Sequence, residues 1–66
     1  MARKDCMMER NIRIYRAYER GVSQASLAIL VGVSPERIRQ IIHTVEHFLH
    51  KGDADYTAAY HNYLDN

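Results

Sequence analysis

Sixty-six residues, 47% of them hydrophobic and 26% charged, are enough for one small globular domain (1–66) and too few for two. No stretch approaches the ~20 apolar residues of a bilayer span. No apolar run follows Met1-Ala2-Arg3-Lys4-Asp5 as a secretory signal requires, and the lone Cys6 cannot close a disulfide within the chain, so a cytoplasmic protein without membrane attachment is expected. The net charge of +1 is unevenly spread. Residues 1–40 hold eight Arg and Lys against four Asp and Glu (+4), and residues 41–66 hold one against four (−3). An anionic partner for the front half follows from that asymmetry. A core this small leaves little room for an enzyme cleft, and a second subunit is a reasonable source of extra stability.

The first predicted element runs from Asp5, read as an N-cap, to Arg20, with Gly21 as the stop. At ~100° per residue, Met7, Met8, Ile12, Ile14, Tyr15 and Tyr18 fall within roughly 160° of arc, and Arg10, Arg13, Arg16 and Arg20 fall opposite them within roughly 120°. The expectation is an amphipathic helix with a basic outer face that meets phosphates.

The second element starts after Ser23 and carries Gln24-Ala25-Ser26-Leu27-Ala28-Ile29-Leu30 as far as Gly32. The third is capped by Ser34 and begins at Pro35, where a missing N–H costs nothing. Ile38, Ile41, Ile42, Val45, Phe48 and Leu49 crowd into roughly 120° of arc, and the pattern holds to Lys51 before Gly52 ends it. The fourth opens on Asp53 and runs to about residue 64, with Tyr56, Tyr60, Tyr63 and Leu64 on one stripe. That stripe either folds back on Phe48 and Leu49 or pairs with a second subunit across a two-fold. Tyrosine suits interfaces, and a homodimer through these four residues is the expectation.

Elements two and three, joined by Val31-Gly32-Val33-Ser34, have the spacing of a helix-turn-helix within 23–51. Ala28 is small enough for a close crossing. Gly32 can take a positive φ. Leu27, Val33, Ile38 and Ile41 fall where the two helices share a core. The expected fold is therefore an all-α helix-turn-helix domain of about four helices.

The run Val33-Ser34-Pro35-Glu36-Arg37-Ile38-Arg39-Gln40-Ile41 resembles the recognition helix in region four of bacterial primary sigma factors, and Ser23-Gln24 with Leu27-Ala28 and Gly32-Val33 is similar to that family's first motif helix. Arg20-Gly21 and Ser23 through Ile42 look equally like the phage middle-operon activators. The resemblance covers about residues 12–51. It implies that Glu36, Arg39 and Gln40 read bases. Pro35 stands where the sigma family has an arginine that contacts DNA.

The chemistry of the residues points the same way. Pro35, Glu36, Arg39, Gln40 and His43 share the face opposite the apolar stripe, in the turns that a recognition helix inserts into the major groove. Arginine matches guanine, glutamine matches adenine, and glutamate accepts from cytosine. Arg37 and Ser34 lie at the edge of that face, nearer to phosphate. Arg10, Arg13 and Arg20, with Ser23 and Gln24 at a helix start, are the other phosphate candidates.

Competing readings are weaker. His43 and His47 have a metal-chelating i, i+4 spacing, but Glu46 directly precedes His47, which is not the place of a zinc-protease base; the histidines are read as exposed. Cys6 and the serines show no oriented base, so no catalysis, metal or cofactor is expected. The expectation is a double-stranded DNA-binding transcription regulator. Its rival is a module that docks on RNA polymerase or a sigma factor without reading DNA.

Overall fold

The computed structural model describes the backbone of residues 2–65 and the side chains of residues 8–62. The described chain is four helices without strands: α1 (Ala2–Glu19), α2 (Gln24–Val31), α3 (Pro35–Lys51) and α4 (Ala54–Asp65).

Helix α1 begins earlier than expected. Ala, Arg and Lys at positions 2–4 are all good helix formers, so nothing stops the helix short of Ala2, and Asp5 lies inside it rather than capping it. The later starts are set by local caps. The Ser23 hydroxyl accepts from the Ser26 N–H at 3.1 Å, that of Ser34 accepts from the Arg37 N–H at 3.2 Å, and Asp53 Oδ1 accepts from the Tyr56 N–H at 3.0 Å. Each satisfies an amide that the first turn leaves without a partner.

The ends of α2 and α3 are also local. Gly32 (φ 86°) and Gly52 (φ 86°) both take the left-handed conformation. The Gly32 and Val33 N–H groups donate to the Ala28 carbonyl at 2.8 and 3.0 Å, which turns the chain out of α2 within two residues.

One cluster joins the first three helices: Ile14 from α1, Leu27 and Ala28 from α2, and Ile38, Ile41 and Ile42 from α3. Val33 packs against it from the turn. Ile12, Ile38 and Val45 are the largest fully buried side chains. Asn11 falls in the middle of α1's apolar arc and is buried with them, and its Oδ1 has no hydrogen-bond partner.

Helix α4 packs on α1 and on the C-terminal half of α3. Tyr56 stacks on Phe48, with ring centroids 4.6 Å apart and planes 13° apart. Tyr60 meets Tyr15 at 6.1 Å. Tyr56 therefore meets the Phe48 of the fold-back expectation, whereas Tyr60 packs on α1 instead. The expectations for Tyr63 and Leu64 lie outside the residues whose side chains are described.

Candidate nucleic-acid interface

The apolar stripe of α3 is what aims its polar face. Ile38, Ile41, Ile42 and Val45 are all buried, so the opposite side of the helix must point to solvent. Glu36, Arg37, Arg39, Gln40 and His43 are exposed along it. Two loose intrahelical contacts hold these residues. Arg39 Nη2 meets Glu36 Oε2 at 3.3 Å, and Arg37 Nη1 donates to Gln40 Oε1 at 3.5 Å. Both members of the Glu36–Arg39 pair are more than half exposed, so it is worth about 0–1 kcal/mol and costs little to open toward a base. The Gln40 amide nitrogen can donate while its oxygen faces Arg37.

At the start of α2, the Ser23 hydroxyl is engaged twice, accepting from the Ser26 N–H and donating to the Ser26 hydroxyl at 3.0 Å. Ser34 is likewise occupied as a cap. Both serines thus act on the backbone. The Gln24 and Ala25 amides have no acceptor within the helix and are the donors left open at this end.

On α1 the structure alters the expected basic face. Arg10, Arg13 and Arg20 are exposed, and Arg13 and Arg20 line one depression of about 300 Å³ with Arg16, Ala17 and Val22. Glu9 is exposed in the same arc, so the outer face is mixed rather than wholly basic. Arg16 is turned inward, with its side chain only 16% exposed. Its Nη1 donates to Glu19 Oε1 at 2.6 Å and to the Tyr60 hydroxyl at 3.1 Å, and its guanidinium lies 4.7 Å from the Tyr60 ring centroid. The Tyr60 hydroxyl in turn donates to Glu19 Oε1 at 2.8 Å. Arg16 belongs to the α1–α4 contact, because an aromatic face and a carboxylate offer it more than open solvent does.

That contact shifts two phenols. The hydrogen bond to Glu19, followed by burial, pushes the Tyr60 pKa up, against a smaller opposing effect of Arg16. Burial, then the Glu19 and Glu46 carboxylates, push Tyr15 up.

Two surface features were not anticipated from sequence. Helix α2 has no charged residue, and its outer side leaves Ile29 82% and Leu30 77% exposed. The signal was available, since a helix apolar all round with only one side buried must show the other. The second is a shallow depression of about 600 Å³ lined by Tyr15, His43, Glu46, His47, Leu49 and His50. The described residues contain no group of three or more His, Cys, Asp or Glu arranged to hold a metal ion.

No protein-family model, curated protein or solved structure matches the chain. No described helix is long and apolar enough to cross a membrane.

Proposed function

We propose that the protein is a sequence-specific double-stranded DNA-binding transcription regulator of the cytoplasm, which inserts the N-terminal half of α3 into the major groove. The observation that carries this is the exposed, weakly tethered row Glu36, Arg39, Gln40 and His43 on a helix whose opposite side buries Ile38, Ile41, Ile42 and Val45. Major-groove readout needs such a row, and the Ser34 cap fixes the start of the turns that would enter the groove. The resemblance to sigma region four and to phage middle-operon activators supports the same roles for Glu36, Arg39 and Gln40. Arg37, Arg10, Arg13, Arg20 and the α2 amides would hold phosphates, with Ser23 and Ser34 shaping those helix starts and Gln24 beside them. In a homodimer, the two α3 helices would read half-sites about 10–10.5 base pairs apart.

A salt titration on duplex DNA tests the proposal. Affinity should fall with a log–log slope of about −0.9 per phosphate neutralised. Arg39→Ala should lose roughly 1–3 kcal/mol on a selected site and relax preference at one base pair. Duplex binding without salt dependence, or an Arg39→Ala variant with wild-type preference across a randomised library, would defeat it.

One observation favours the rival reading, docking on RNA polymerase or a sigma factor. The exposed Ile29–Leu30 pair on an uncharged helix is an apolar surface of the kind that protein partners cover. Under that reading, the Ile29→Ser/Leu30→Ser double variant loses binding to purified polymerase holoenzyme and keeps whatever affinity it has for duplex DNA.

A further inference from the structure

Helix α3 is longer than its reading turns require. Its 17 residues span about 25 Å, while the major groove is about 12 Å wide. With Glu36 to His43 in the groove, the C-terminal half would extend beyond the bases read toward the flanking sugar–phosphate strand, as the end of a homeodomain's third helix does.

What that half presents is specific. His47, His50 and Lys51 are exposed and lie within the same roughly 100° of arc as Glu36, Gln40 and His43. Resting on the DNA-binding reading above, we propose that His47, His50 and Lys51 form a proton-dependent phosphate strip. It grips the DNA backbone beside the bases read by Glu36, Arg39, Gln40 and His43.

Titratable groups from three helices surround this face. Glu46, at the margin of the arc, shares the depression with His43, His47 and His50. Across it stands Tyr15 of α1, with Glu19 of α1 and Tyr60 of α4 close behind its ring. From α4, Tyr56 lies against Phe48, whose ring also meets that of His47 at 5.5 Å, and Asp53 and Asp55 sit at the helix start. Within α3's C-terminal half, Lys51 and Glu46 cancel while the imidazoles are neutral. Protonating His47 and His50 takes that half from 0 to +2, against +1 for the whole chain at pH 7. Imidazoles change charge between about pH 5 and 8, and a phosphate placed against one favours its cationic form. Affinity for DNA therefore rises as pH falls through that window.

Phosphate contacts are independent of base sequence, so a fluorescein-labelled duplex of mixed sequence is a sufficient probe. Anisotropy titrations over a range of salt, at about pH 5.5 and about pH 7.5, give the slope at each pH. The wild-type slope should steepen at the lower pH by about 0.9 per histidine engaged. Each would add a further loss of about 3.5-fold in affinity between 50 and 200 mM salt. His47→Gln/His50→Gln, both at exposed positions, should keep the helical circular-dichroism spectrum and lose most of the pH dependence. His61→Gln on α4 should leave it intact. Salt-dependent binding with one slope at both pH values overturns the strip alone, as does a double variant that keeps the full pH effect. No duplex binding at either pH overturns the strip and the DNA-binding reading together.

Discussion

Replacing Tyr60 with Phe isolates the contact that joins α4 to α1. The ring stays, and with it the packing on Tyr15 and the Arg16 guanidinium 4.7 Å from its centroid. The hydroxyl goes, and with it the donation to Glu19 at 2.8 Å and the acceptance from Arg16 at 3.1 Å. A hydrogen bond to a charged partner contributes about 1.5–3 kcal/mol in a sheltered setting. Here Arg16 and Glu19 keep each other at 2.6 Å, and the Glu19 side chain is 34% exposed, so water replaces part of the loss. The expected destabilisation is about 1–2 kcal/mol. In a domain of this size that lowers Tm by about 4–8 °C for each kcal/mol. Thermal unfolding followed by circular dichroism, at two protein concentrations tenfold apart, measures it. The drop should be the same at both concentrations, because the lost bonds lie within one chain. An unchanged Tm would refute the contact. A drop seen only at the lower concentration would mean that Tyr60 serves a second subunit instead.

Other outcomes follow from the same structure. Ile38→Ala removes a fully buried side chain shared by three helices and should cost roughly 2–5 kcal/mol in urea unfolding, a large part of the stability of so small a domain. Gly32→Ala meets open space but sits at φ 86°, so backbone strain alone should cost about 1–2 kcal/mol, read as a shift in urea midpoint. Arg13→Ala should weaken binding to all duplexes alike and reduce the salt slope by about one, in contrast to the base-specific loss at Arg39. Tyr15 and Tyr60 both have pKa values raised above 10.0 in the fold, so their neutral forms are favoured there. The stability they contribute is fully present below about pH 10 and is lost as pH rises through the folded values. Alkaline unfolding should accordingly be shallower in Tyr60→Phe than in wild type.

The bounds of α3 and the turn before it were legible in the sequence because their causes are local. Ser34, Pro35, Gly32 and Gly52 each act within about one turn of helix, and a regular stripe of Ile and Val orients the helix whatever it packs against. The same stripe placed Glu36, Arg39, Gln40 and His43 on the exposed side. Spacing alone could not decide the fate of Arg16. It shares an arc with Arg10, Arg13 and Arg20, yet Tyr60, 44 residues away in sequence, draws it out of that face. Tyr56 and Tyr60 were equally open, since a tyrosine stripe suits a partner subunit as well as a neighbouring helix. Phe48 and Tyr15 stand where α4 lands, so both rings meet aromatic neighbours of their own chain. The outward turn of Ile29 and Leu30 also depends on packing, because α1 and α3 cover only one side of α2. Caps and periodicity are properties of a few neighbouring residues and can be read along the chain. Which side chain meets which across helices depends on how those helices pack, and only the tertiary structure decides it.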